Sequence, residues 1–279
     1  MRKITNEIIK SFNNYLINEE KAAATVNKYL HDVGEFQIWL GNQELCKTTV
    51  LAYKSYLCGH YASSSVNAAL SSLNSFFNFM EWYDLRAKKL KIQKQIFASM
   101  DKELTKAEYD RLLQAAKQKK NERLYLLMQT ICSTGIRVSE LRHVTVEAVA
   151  RGIAKINCKG KRRQVFLPKQ LCQILKQYIK EQKIKSGAVF VTKSGNPLDR
   201  SNIWSDMKKL CKAANVSKKK VFPHNLRHLF ARTYYSLQKD IVRLADLLGH
   251  SNVNTTRIYT METGEIHRKQ IQKLGLLRC

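Results

Sequence analysis

The chain of 279 residues has no run of 18 or more apolar residues, so no membrane-spanning helix is expected. Its opening, Met1-Arg2-Lys3-Ile4-Thr5-Asn6-Glu7, turns polar at once and lacks the apolar core of a secretory signal, which points to the cytoplasm. The seven cysteines, at 46, 58, 132, 158, 172, 211 and 279, are scattered and form no Cys-x-x-Cys pair. They read as reduced thiols rather than a disulfide framework. A zinc set can be imagined only from Cys211 with His224 and His228, and no second cysteine stands at ligand spacing, so no metal is expected. There is no acidic metal cluster and no phosphate-cradling glycine loop, which fits chemistry that needs neither Mg²⁺ nor ATP and no other cofactor. Internal repeats and low-complexity tracts are also absent.

The shortage with the largest consequence is of acid. Lys+Arg number 49 against 22 Asp+Glu, giving a net charge of +27 and a pI near 9.9. A field of that sign favours a polyanion, either nucleic acid or an anionic membrane face. Apolar content of 44% and charged content of 25% are those of a soluble globular protein. The charge is unevenly placed: residues 1–100 carry a net +4 and residues 101–279 a net +23, so the second part is the main polyanion binder.

From Thr5 to about Tyr83 the pattern is helical. Ile8, Ile9, Phe12 and Leu16 make one apolar stripe, and Val26, Tyr29, Leu30, Val33, Phe36 and Leu40 a second, ending at Gly41. A third segment runs from Thr48 to Gly59, and a fourth is expected to be capped by Ser63-Ser64-Ser65 before Val66, Leu70, Leu73 and Phe77. These predict a small helical bundle over 1–84. Arg86, Lys88, Lys89, Lys91 and Lys94 then mark 85–100 as a basic interdomain linker, either a strap suited to a phosphate backbone or simply a solvated helix end. Thr105 and Glu108 form a capping-box spacing at the start of a new helix. A second, from about Glu122, is apolar along Leu124, Leu127, Met128 and Ile131 and ends at Thr134-Gly135. Gly152–Cys158, Arg163–Leu167 and Ala188–Thr192 read as three short strands. Helical pattern resumes over Ser201–Ala214, and Glu265–Leu274 reads as a final helix. The expected fold is therefore mainly α with a small antiparallel sheet, the second domain spanning 101–279.

Pro223 to Thr260 concentrates the chemistry. It holds His224, Arg227 one helical turn on, His250, and Tyr259 nine residues past His250. Cutting a phosphodiester without metal requires fixed cations for the non-bridging oxygens, best supplied by arginine forks. It also needs a base beside a nucleophile such as tyrosine, whose pKa of about 10 keeps it protonated at neutral pH, and an acid for the departing sugar oxygen. Arg137 and Arg227 suit the first task, Tyr259 with His224 the second, and a lysine the third. Taken singly, each has an ordinary explanation: a surface arginine after a helix break, a polar helix face, a half-buried packing tyrosine. His228 reads as structural.

Three boxes carry a resemblance: Thr134-Gly135-Ile136-Arg137-Val138-Ser139-Glu140-Leu141, His224-Asn225-Leu226-Arg227-His228, and Leu248-Gly249-His250 with Thr255-Thr256-Arg257-Ile258-Tyr259-Thr260. In order and spacing they resemble the signature of the tyrosine recombinases, the phage integrase family, over residues 101–279. Thr25, Tyr29, Asp32 and Phe36 are similar to that family's helical, SAM-like core-binding domain. The length is similar to that of compact Xer-like and transposon-borne members. The resemblance implies a mixed α/β catalytic domain in which Tyr259 attacks the scissile phosphate to form a 3′-phosphotyrosyl link. Arg137 and Arg227 clamp the phosphate, His224 is base or relay, His250 bonds the phosphate and Glu140 supports the site. The general acid is a lysine on the turn between the second and third strands of the family's small sheet. That turn matches the first one read here if a further short strand lies near Val144–Val149. Here that turn is Cys158-Lys159-Gly160-Lys161-Arg162-Arg163, where Cys158 replaces the family's usual glycine and the turn is one residue shorter. Lys159 is the favoured residue and Lys161 the alternative.

Lys88, Lys89, Lys91, Lys161, Arg162, Arg163, Lys218, Lys219 and Lys220 are the candidate DNA contacts. The implied partner is double-stranded DNA with inverted-repeat core sites, bound by a homotetramer. The final helix, with Ile266, Ile271 and Leu274, is the candidate for docking into a neighbouring protomer, the alternative being that it packs on its own domain. Integration or excision of a mobile element is the expected role, with Xer-type resolution of chromosome or plasmid dimers as the alternative. A non-catalytic DNA-binding protein and a relaxing topoisomerase of the related tyrosine type stand below these.

Overall fold

The computed structural model describes residues 2–92, 102–158, 161–192, 194–259 and 272–273, with the backbone alone at Cys158 and Lys161. Lys159 and the expected helix at Glu265–Leu274, apart from residues 272–273, lie outside the described residues, as do Lys94, Ile266 and Ile271. The chain divides into two compact units, residues 1–94 and 95–279.

The first unit is built of α1 (Asn6–Asn18), α2 (Ala23–Leu40), α3 (Lys47–His60) and α4 (Ser63–Phe79). Phe12, Leu16, Val33, Phe36, Leu70 and Phe77, all taken from the expected stripes, are fully or almost fully buried where the helices meet. Asp32 is buried too, because the Ser72 hydroxyl on α4 donates to it at 2.6 Å and Lys28 pairs with its other oxygen. The serine cluster does not cap α4 as expected. The N-cap is Ala62, which makes no side-chain bond, and the three serines form the first turn itself.

The unit also runs past the boundary expected at residue 84. Asn74 exchanges two hydrogen bonds with Ala87 (both 2.9 Å), and Asn67 exchanges two with Leu90 (2.9 and 2.7 Å). These amides strap the following segment along α4, burying Leu85 and Ala87 and leaving Lys88, Lys89 and Lys91 exposed.

In the second unit, α5 (Lys106–Gln118) starts on the expected reciprocal cap: Glu108 N–H donates to Thr105 Oγ1 and Thr105 N–H to Glu108 Oε2. After it come α6 (Glu122–Thr134), a 3₁₀ turn at Val138–His143, and α7 (Val146–Arg151). Strands β1 (Ile153–Cys158) and β2 (Lys161–Phe166) pair antiparallel, from Ile153 opposite Phe166 to Cys158 opposite Lys161. The third expected strand is not formed: Ala188 makes one bridge to Thr145 and Val191 one to Pro197. A helix that the sequence reading did not foresee, α8 (Lys169–Glu181), buries Leu171, Leu175 and Tyr178 at helical spacing. The expected Ser201–Ala214 helix is broken into α9 (Arg200–Lys208) and α10 (Cys211–Ala214). Last come α11 (Pro223–Gln238), α12 (Ile241–Leu248) and 3₁₀ turns at Val253–Thr255 and Arg257–Tyr259. The core joins α6 to α11 through Leu127, Met128 and Ile131 against Leu226 and Leu229. That packing brings two segments far apart in sequence to one place.

Candidate active site

Helix α6 ends on Gly135 in the left-handed region, at φ +65°. A side chain there would be strained, and its Cβ would stand 2.5 Å from the Phe230 ring of α11. The bare backbone lets the two helices close, and the reversal aims the next turn, with Arg137, toward the start of α11. That start is fixed by Pro223 in the first turn and by Asn225, whose amide donates to the carbonyls of Lys102 and Lys220 at 2.8 and 2.7 Å. His224 and Arg227 then project one turn apart.

The centre of the site is the C-terminal end of α12. Three successive carbonyls there, Leu247, Leu248 and Gly249, each accept from a different arginine: Arg163 Nη1 at 2.7 Å, Arg227 Nη2 at 2.7 Å and Arg137 Nη2 at 3.3 Å. The last carbonyls of a helix have no intrahelical donor and carry the negative end of its dipole, so they gather cations. Arg227 is 1% exposed, and its Nη1 also donates to the Gly135 carbonyl. Burial and then the neighbouring Arg137 push its pKa down to about 10, which leaves it charged at neutral pH.

Glu140 is the acidic partner of the cluster and is itself buried. Its Oε1 accepts from Arg137 Nη1 at 3.0 Å; its Oε2 accepts from the Arg137 backbone N–H at 2.9 Å and from Arg163 Nη2 at 2.5 Å. Burial works to raise its pKa, but the bonds from Arg163 and Arg137 outweigh it and hold the carboxyl below its ordinary value. Three arginines around one carboxylate leave an excess of positive charge.

Burial, and that charge beside it, disfavour protonation of the histidines. His250 is pushed down to about 4 by burial and then by Arg227 and Arg137, and His224 is lowered by burial and the same two arginines. His250 Nε2 lies 3.0 Å from Arg227 Nη2 and its Nδ1 2.8 Å from Thr256 Oγ1. Since guanidinium can only donate, Nε2 is the acceptor and Nδ1 carries the proton. Tyr259 is 4% exposed, its ring perpendicular to His228 at 4.8 Å and nearly parallel to His250 at 6.1 Å.

Two clefts flank Arg137. One, of about 330 Å³, is lined by Arg137, Arg200, Trp204, His224 and Arg227. The other, of about 760 Å³, is lined by Arg137, Glu140, Arg162, Arg163, His250 and Thr255. The structure thus gathers Arg137, Glu140, His224, Arg227, His250 and Tyr259.

Of the expected DNA contacts, Arg162, Lys218 and Lys219 are exposed. Lys220 is turned inward, its ammonium 2.9 Å from Glu108 Oε1, and Arg163 is enclosed between Glu140 and α12. Neither is a surface cation: the buried Glu140 holds Arg163, and the half-buried Glu108 holds Lys220. The sequence singles out neither Arg200 nor Trp204, and places Thr256 in the third box without a role. Arg200, Trp204 and Lys208 recur every four residues on α9, and that spacing was the available signal. The role of Thr256 comes from its bond to His250.

The profile of the phage integrase family matches residues 102–265, and that of the phage integrase N-terminal SAM-like domain matches residues 9–83. The chain is 32% identical to "Tyrosine recombinase XerA" of Thermococcus kodakarensis, over 98% of this chain and 96% of that protein. It is 26% identical to the "TnP I resolvase" of Bacillus thuringiensis, over 91% and 95% respectively. Among solved structures it is similar in fold to lambda integrase, as crystallised as a tetramer bound to a Holliday junction. That likeness has a TM-score of 0.72 and 18% identity, covering 94% of this chain and 80% of that one.

Proposed function

This chain belongs to the phage integrase family of tyrosine recombinases, and on that premise we propose that it cuts and rejoins DNA strands at specific sites with Tyr259 as nucleophile. The phenol oxygen attacks the scissile phosphorus and the bond to the 5′ oxygen breaks. A 3′-phosphotyrosyl link and a free 5′-hydroxyl result, and the reverse attack by a 5′-hydroxyl rejoins the strand. Arg137 and Arg227 stabilise the charge gathering on the non-bridging oxygens. His224 takes the phenolic proton, Glu140 holds Arg137, and Lys159, with Lys161 as the alternative, protonates the leaving oxygen. An entering phosphate supplies the negative charge that raises the pKa of His250, so its Nε2 passes from accepting Arg227 to donating to the phosphate. Lys88, Lys89, Lys91, Arg162, Lys218 and Lys219 contact the phosphate backbone. Strand exchange joins two duplexes and needs four such sites, so the working form is a homotetramer on inverted-repeat DNA.

The observation that carries this reading is the convergence of Arg137, Arg227, His250 and Tyr259 around one helix end. For the biological role, end-to-end likeness at 32% identity to a protein named XerA favours Xer-type resolution of chromosome or plasmid dimers. The likeness to the TnP I resolvase keeps service to a mobile element as the second reading. The test is covalent trapping from a library of nicked duplexes with randomised arms, in EDTA. Wild type is expected to yield a protein–DNA adduct whose DNA identifies the site, and Tyr259→Phe none. An adduct of equal yield in the mutant overturns the nucleophile assignment.

A further inference from the structure

Arg137 lies between the two clefts with a side chain 38% exposed. Among the described residues its guanidinium has two supports: Glu140 Oε1 at 3.0 Å and the Gly249 carbonyl at 3.3 Å. Arg163 secures both. Its Nη2 holds the other oxygen of the same carboxylate at 2.5 Å, and its Nη1 holds the carbonyl of Leu247, two residues before Gly249, at 2.7 Å. Its aliphatic stem lies against Gly249 so closely that a Cβ there would stand 2.4 Å from Arg163 Cδ. We propose that Arg163 is a positioning residue for the cleavage reaction. It fixes Arg137 over the clefts and, by sharing Glu140, keeps the charge of Arg137 available to a phosphate. This rests on the reading of Arg137 as a phosphate-clamping cation.

The electrostatic half of this role is a matter of counting charges. Arg137 paired with Glu140 alone is a neutral unit with little attraction for an anion. Arg137, Arg163 and Glu140 together carry a net single positive charge, and the most exposed of the three, Arg137, presents it. The geometric half follows from rigidity. Glu140 is held at both oxygens and the α12 end at three carbonyls, so Arg137 is aimed before DNA arrives, as effective transition-state stabilisation requires.

The experiment compares wild type, Arg163→Met and Arg163→Lys on the nicked duplex recovered by trapping. That duplex is made with either a normal phosphate or an uncharged methylphosphonate at the scissile linkage. With phosphate, Arg163→Met is expected to slow single-turnover adduct formation by about 100-fold, the scale of a displaced catalytic group. Its DNA affinity and the salt dependence of binding should stay as in wild type. With methylphosphonate, which needs less of the clamp's charge, the same variant is expected to lose under about tenfold. Arg163→Lys keeps the charge and the stem but not the two-sided fork, and should fall between; it also provides the readout if Arg163→Met does not accumulate folded. Equal losses on both substrates make Arg163 merely structural and overturn the proposal. So does a shallower salt slope, which marks a direct phosphate contact, and so does wild-type speed. If wild type forms no adduct on phosphate, it is the recombinase reading that has failed.

Discussion

His228 stands with its ring 4.5 Å from that of His224 and 4.8 Å from that of Tyr259, and its buried Nε2 has no partner among the described residues. Burial, followed by His224, Arg232 and Arg227, pushes its pKa down to about 3, against about 6.5 for an unfolded histidine. A base with a depressed folded pKa binds protons more readily unfolded. Its neutral form therefore leaves stability intact above about pH 6.5, and stability is lost progressively as pH falls toward the folded value. Each pH unit in that window costs about 1.4 kcal/mol for one such group, so this histidine removes ~2 kcal/mol between pH 6.5 and 5. His228→Phe keeps a ring against Tyr259 and abolishes both the titration and the unpartnered nitrogen, a further cost of about 1–3 kcal/mol in wild type. The variant is expected to be at least as stable as wild type at pH 7.5, and to gain a further ~2 kcal/mol relative to wild type at pH 5. Urea unfolding at the two pH values measures this. Trp204 is made the only indole by replacing Trp39 and Trp82 with Phe, so that the signal follows the second unit. Equal pH dependence in the two proteins would refute the reasoning, because it would mean that His228 titrates alike folded and unfolded.

Two further outcomes follow from the geometry. Gly135→Ala combines left-handed backbone strain with a Cβ 2.5 Å from Phe230. It should destabilise the second unit by about 2–5 kcal/mol, seen as a lower thermal midpoint, with slower adduct formation because Arg137 follows directly; an unchanged midpoint counts against the close packing of α6 on α11. Lys218→Ala and Lys219→Ala should each lower the salt slope of DNA binding by about one, whereas Lys220→Ala should leave it unchanged, its ammonium being held by Glu108. A shallower slope for Lys220→Ala would restore that lysine to the DNA-facing surface.

Local features were legible where the physics is local. The Thr105–Glu108 cap, the stripes of α1, α2 and α4 and the stop at Gly135 each depend on residues within a turn or two of one another. Ser63-Ser64-Ser65 misled because a run of equivalent hydroxyls does not say which residue begins the helix, and the backbone reversal falls at Ala62. The segment after Asp84 read as linker because Asn67 and Asn74, which bind it, lie 23 and 13 residues away from their partners. Ala188–Thr192 has a strand's alternation but finds no continuous neighbour, so it forms bridges and no ladder.

The chemistry was already written in the order of residues: which types are present, how they follow one another, and the charge that suits a polyanion. Spacing alone set Arg227 one turn from His224 and Tyr259 nine residues past His250. Which cations are available is settled by packing. Arg162 and Arg163 are adjacent and chemically identical, yet one is exposed at the rim of a cleft and the other is enclosed by Glu140 and a helix end. Lys219 and Lys220 divide in the same way. A charge run states how many cations a segment carries. Whether each meets a solvent-facing anion or a carboxylate of its own fold depends on partners 23 to 112 residues away in the chain, and only folding brings these together.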